Sequence, residues 1–205
     1  MAHSSVSGMF AAALLMLAPA APFAEEISKQ ERDQAVKYLT SIGDQVVKES
    51  ETLTDAQWNF KPAPDRWSVG EVVEHLALSE SFIFDMQQKT VSGPEATAER
   101  RAATKGKDEM IVKMVPDRTK KAQAPEPLQP GARLGSRADI LSAFKERRAK
   151  TIEYAKGTKD DLRSRVADSP LGPVDAYQWL LFVAAHSERH LAQLREVKAH
   201  PDFPK

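Results

Sequence analysis

Proline places the strongest constraint on what this chain can fold into. Beyond residue 24, prolines fall at 62, 64, 94, 116, 125, 127, 130, 170, 173, 201 and 204. A proline ring fixes φ and removes a backbone donor, so it ends a helix or stays outside it. Four long stretches between these points carry no proline, and in each the apolar residues recur at three- and four-residue intervals, the period of an amphipathic helix. No stretch alternates apolar and polar residues with period two, and there is no internal repeat.

The first helix is expected from about Glu26 to Glu51, opened by the capping-box pattern Ser28-Lys29-Gln30-Glu31, with Val36, Leu39, Ile42, Val46 and Val47 on its apolar face. A short turn at Thr54–Phe60 adds Trp58 and Phe60 to the core. The second helix is expected from about Ser68 to Lys89, opened by a second capping box, Ser68-Val69-Gly70-Glu71, with Trp67 placed to staple onto Val72. Residues 90–136 break the pattern with five prolines and a run of Lys and Arg. They read as a solvated crossover connection with a short helix near Asp108–Val115; a lid or basic contact loop is the alternative. The third helix is expected from about Arg137 to Lys156 and the fourth from about Val174 to Val197, with Pro173 near its first turn. Four amphipathic helices without strands predict an all-α fold, a four-helix bundle with a long connection between helices 2 and 3.

Composition excludes several functions. Lys+Arg and Asp+Glu each number 29, so the net charge is zero and the basic excess of a dedicated nucleic-acid binder is missing. No cysteine is present, which removes disulfides, thiolate ligands and a cysteine nucleophile. A length of 205 residues suits one domain. Residues 1–24 contain no charged side chain; Met9–Leu17 is continuously apolar, too short to span a bilayer, and is followed by small residues and then Glu25-Glu26. This is the pattern of a secretory signal peptide over 1–24, cut after Ala20 or Ala24, although its first residues lack Lys and Arg. The expected product is one domain over 25–205, periplasmic or secreted, with no stable membrane span after cleavage.

The histidines carry the chemistry. Of five, His3 lies in the leader and His200 in the tail. His186 and His190 are four residues apart in the fourth helix and share a face with Trp179, Phe182, Val183, Gln193, Leu194 and Val197. His75 lies on the apolar side of the second helix with Val72, Leu76, Ser79, Ile83 and Met86. Imidazoles where a helix should meet its neighbours must be hydrogen-bonded or ligated. Three of them, from two helices, are the number of protein ligands a catalytic metal site uses, leaving one coordination position open.

Trp67-Ser68, Glu71 and His75-Leu76, with a closing His186-x-x-x-His190-Leu191-x-Gln193-Leu194, resemble the DinB-like (YfiT-like) family of metalloenzymes over roughly residues 30–198. The resemblance implies a four-helix bundle of unusual connectivity and a divalent metal ion, zinc or nickel, held by His75, His186 and His190. Family activities include thiol-dependent S-transfer and maleylpyruvate isomerisation.

Glu71, one turn before His75, has two readings: a catalytic base or partner of the metal ligands, or the capping glutamate that points back at Ser68. Glu188 lies two residues from each histidine of the pair and faces away from them, which excludes the H-E-x-x-H protease arrangement. Three functions stay open: an exported metal-dependent enzyme of hydrolase or transferase type that activates water or a substrate nucleophile, a non-catalytic bundle that binds a metal or small ligand, and a module whose histidines are pH-sensitive core groups. The expected partner is a small-molecule substrate and not a nucleic acid; a homodimer stays open.

Overall fold

The computed structural model describes Met1 and residues 26–119 and 121–205. The expected signal peptide falls outside these residues. Seven helices are described: α1 (Lys29–Ser50), α2 (Asp55–Asn59), α3 (Val69–Ser92), α4 (Ala98–Ala102), α5 (Lys107–Met114), α6 (Arg137–Gly157) and α7 (Ala176–Lys198). The long ones, α1, α3, α6 and α7, form the bundle. Each of them starts at a side chain that caps its free amides, and each cap is reciprocated by the residue at the third helical position: Ser28 with Glu31, Ser68 with Glu71, Ser136 with Asp139 and Asp175 with Gln178.

Helix α7 packs against α1 and α3, and α6 packs against the same two from the other side. Consecutive helices α1 and α3, and again α6 and α7, therefore lie across a diagonal. Residue pairings set the directions. Tyr38–Glu188 and Gln45–Arg195 run α1 and α7 parallel. Arg147–Ala77 and Gln87–Tyr154 run α3 and α6 parallel, whereas His75–His190 and Glu80–Ser187 oppose α3 to α7. Since α3 and α6 point the same way, the chain must return along the whole bundle between them, about 36 Å for a 24-residue helix. This accounts for the length of the connection, which carries α4, α5 and a 3-10 turn at Glu126–Leu128. Helix α5 docks on α7 and buries Ile111.

One expectation needs correction. The chain contains a β-hairpin, β1 (Val166–Ser169) with β2 (Gly172–Asp175), antiparallel in register Val166↔Asp175 to Ser169↔Gly172. Pro173 lies in β2, so α7 starts at Ala176 and not at Val174. The turn follows from its residues: proline pre-sets φ at position 170, and Gly172 takes φ +80°, a conformation open to glycine at little cost. Lys107 Nζ ties the hairpin to α5 by donating to the carbonyls of Leu171 (2.9 Å) and Pro173 (2.6 Å).

The core holds a buried ion pair. Arg148 of α6 and Glu80 of α3 are 4% and 2% exposed. The guanidinium donates to both carboxylate oxygens of Glu80, to the Leu39 carbonyl of α1 (2.7 Å) and to Ser187 Oγ of α7 (2.7 Å). All four long helices meet at one side chain. Gly43 on α1 makes room for it, since a Cβ there would stand 3.1 Å from Arg148 Cγ. Removing one partner strands a buried charge, which typically costs about 3–5 kcal/mol, whereas replacing both by apolar residues of similar volume is often neutral. Glu80→Leu should therefore lower the urea midpoint strongly, and Glu80→Leu with Arg148→Met should recover much of the loss. A double variant less stable than the single would show that the pair contributes more than mutual neutralisation.

Candidate metal centre

His75 sits in the second turn of α3, and His186 and His190 sit on successive turns of α7. Because α3 and α7 pack antiparallel, all three rings converge in the seam between them. His75 Nε2 is 3.3 Å from His186 Nε2 and 3.2 Å from His190 Nε2, and the three possible ligand atoms lie within 4.8 Å of one another. His75 and His190 are buried and His186 is half-buried. Trp67 covers the first two, its ring 4.9 Å from that of His75 and stacked at 6.2 Å on that of His190. Phe182 stacks on His186 at 6.4 Å. Trp67 thus joins the site, a contact beyond its expected role as a helix staple.

The outer nitrogens decide the protonation. His75 Nδ1 lies 2.7 Å from the Leu128 carbonyl, which can only accept, so the proton is on Nδ1 and Nε2 is bare. His190 Nδ1 lies 2.8 Å from Gln193 Oε1; Arg118 Nη1 approaches the same oxygen at 3.4 Å, as it does an acceptor, so Nδ1 again carries the proton. Two lone pairs then face each other across 3.2 Å, with a third imidazole beside them. Neutral rings repel in this arrangement, and a cation among them turns repulsion into coordination. Four-coordinate zinc with bonds of about 2.0–2.1 Å separates neighbouring ligand atoms by about 3.3 Å. The donor set and its spacing fit such an ion. The supporting hydrogen bonds orient the rings of His75 and His190 as partners of metal-ligating histidines generally do.

Glu71 is placed elsewhere. Its Oε2 accepts from the Ser68 amide (2.8 Å), its own amide donates to Ser68 Oγ, and its Oε1 meets Lys61 Nζ at 3.0 Å. The carboxylate is held at the cap of α3 and is not among the groups that converge with the imidazoles. Of its two readings, the geometry shows the cap and gives the catalytic one no contact. Glu188 bonds across to Tyr38 on α1, away from the site.

Glu74 is the residue that sequence reasoning missed. It is buried, and its carboxylate accepts four backbone amides of the connection: Gly131 (3.0 Å) and Ala132 (3.1 Å) on Oε2, Arg133 (2.5 Å) and Leu134 (3.2 Å) on Oε1. Ala132 adopts φ +56° to complete this anion-binding turn. The turn fastens the connection beside His75 and so delivers the Leu128 carbonyl to it. Residues 126–134 therefore form a supporting wall of the site, a role beyond that of a purely solvated crossover.

Burial is the main reason all three imidazoles resist protonation. It lowers the pKa of His75, opposed in part by the Leu128 hydrogen bond. It pushes His186 down to about 3, with the His75 ring adding to the effect. His190 is held well below the ordinary range by burial and by both neighbouring rings. In an unfolded chain the same rings take up protons near pH 6.5. Below that pH the unfolded state binds more protons than the folded one, so stability falls as the solution is acidified. Chelator-treated protein should lose denaturation midpoint from about pH 7 to about pH 5, and His186→Phe should show a shallower fall. Identical slopes in the two proteins would refute the burial argument.

The family model described as the DinB superfamily matches residues 29–194. The uncharacterized protein YuaE of Bacillus subtilis is 26% identical over 147 residues, 71% of this chain and 86% of that protein. The solved structure of YfiT from Bacillus subtilis, described as a probable metal-dependent hydrolase with an unusual four-helix bundle topology, superposes with a TM-score of 0.58 at 17% identity and covers 88% of this chain and 93% of its own. At that identity the likeness is one of fold.

Proposed function

The chain belongs to the DinB superfamily, and from that premise we propose that it is a metal-dependent enzyme whose divalent ion is held by His75, His186 and His190. The observation that carries this reading is the pair of bare Nε2 atoms of His75 and His190 facing each other at 3.2 Å. Zinc and nickel both suit three neutral imidazoles. Such an ion, when bound, supplies Lewis acidity that activates water or a substrate nucleophile. The chain's own residues do the rest. Leu128 and Gln193 hold the outer protons of His75 and His190, Trp67 and Phe182 pack on the rings, and Arg118 fixes the amide of Gln193 while paired with Glu196 at 2.8 Å. Hydrolysis of a small molecule is the reaction type we favour, in keeping with the description given to YfiT. The proposal includes export: the apolar leader ahead of Glu25-Glu26 has the pattern of a signal peptide and supports a mature domain outside the cytoplasm, where the thiols used by intracellular transferases are scarce.

Metal analysis tests the site. The purified mature protein should hold about one divalent ion per chain. His190→Ala should lose most of it, and His200→Ala, in the tail, should keep it. Equal content in the two variants would show that the ligands are wrongly assigned. Export has its own test. The mature chain recovered from the periplasm or medium should begin near Ala21 or Glu25 by mass spectrometry; an intact Met1 chain confined to the cytoplasm would overturn that part alone.

A further inference from the structure

The seam between α3 and α7 holds one more polar group that neither the ligand set nor its supports use. Ser79 follows His75 by one turn of α3 and is 1% exposed, and its Oγ lies 3.5 Å from His75 Nε2. Three other buried helix hydroxyls turn back on the carbonyl one turn earlier, Ser50 on Val46 (2.7 Å), Thr90 on Met86 (2.8 Å) and Thr151 on Arg147 (3.2 Å), and a fourth, Ser187, meets the Arg148–Glu80 pair. Ser79 Oγ is directed instead at the side of His75 that faces His186 and His190. At 3.5 Å the contact is at the outer limit of a hydrogen bond, so the nitrogen satisfies the hydroxyl poorly. Once that lone pair is given to an ion, the hydroxyl loses even this acceptor. A buried hydroxyl needs a partner, and what completes the coordination beside it is the exogenous ligand.

We propose that Ser79 is a positioning residue whose hydroxyl donates a hydrogen bond to the exogenous ligand that completes the three-histidine coordination, water at rest and an anion or substrate oxygen in use. The inference rests on the metal reading above. Ser79 is placed for this by helix geometry: four residues after His75 it lies on the same face, one turn further along. Its short side chain reaches the space beside Nε2 without filling it, which a threonine could also do and a leucine could not. A donor there favours anionic ligands and fixes their orientation in a largely buried site.

Azide titration of the cobalt-substituted full mature chain, followed in the visible spectrum, separates the outcomes. Ser79→Ala removes one buried atom, so cobalt content and helical circular dichroism should match the parent. Its azide affinity should fall about tenfold, the effect of one lost hydrogen bond to a charged ligand. Ser79→Thr, which keeps the hydroxyl, should restore most of the affinity. Unchanged azide affinity in Ser79→Ala would overturn the proposal while leaving the metal site standing. So would an altered azide-free spectrum with tighter azide binding, since Ser79 would then itself be a ligand. A parent protein that takes up no cobalt would overturn the metal reading, and this inference with it.

Discussion

The fold depends on the neutralisation of Arg148. A guanidinium 4% exposed at the centre of a bundle carries a large desolvation penalty, and nothing but complete pairing offsets it. The pairing comes from Glu80, the Leu39 carbonyl and Ser187 Oγ, one from each of the other three long helices. Such a contact specifies more than it stabilises. It is satisfied only when α1, α3, α6 and α7 stand in one angular order and one axial register. Apolar packing alone tolerates slippage by a turn, whereas this network does not. Ser187 follows His186 directly, and Glu80 follows Ser79. The register that satisfies Arg148 is therefore also the register that brings His75 to His186 and His190.

Helix α3 concentrates these demands because it is covered on nearly every side, by α2, α6, α7 and the connection. A helix so placed would ordinarily be apolar all round. This one buries Glu74, His75, Ser79 and Glu80. Three of them are answered by other parts of the fold: Glu74 by four amides of the connection, His75 by α7 and the Leu128 carbonyl, Glu80 by α6. The connection is long because α3 and α6 run parallel, and its length lets it fold back along α3 as a wall. Topology that looks like an inconvenience of chain path thus supplies the hydrogen bond that sets the tautomer of His75.

Much of this was legible in the residues. Prolines and capping boxes marked the four long helices to within a few positions, since both act through local backbone chemistry. The three histidines stood out because they replace apolar residues on predicted inward faces. Arg148 and Glu80 gave the same signal and were passed over: Arg148 falls four residues after Phe144 and three before Thr151, and Glu80 four after Leu76 and three before Ile83. A charge inside an apolar stripe is as informative as a histidine there. The hairpin was hidden because strands of four residues show too little alternation to register. Glu74 and Leu128 were beyond reach for another reason. Their roles depend on backbone amides and a carbonyl, groups that nearly every residue carries and no side-chain pattern distinguishes.

The same features bear on why the site is built at this seam. Two imidazoles with inward lone pairs at 3.2 Å repel in the metal-free chain, and the hydrogen bonds to their outer nitrogens oppose relief of that repulsion. Leu128 is held by the Glu74 turn, and Gln193 by Arg118, which is itself paired with Glu196. Each supporting oxygen favours the orientation that keeps the protonated nitrogen outward, and so opposes the ring rotation that would relieve the repulsion and abolish the donor set. A site held in this way meets an incoming ion with its geometry already fixed, so little ordering entropy opposes binding, and the cost appears in the stability of the apo fold. Local destabilisation of the α3–α7 seam and readiness to take a cation are in this reading one property, set by two outer hydrogen bonds.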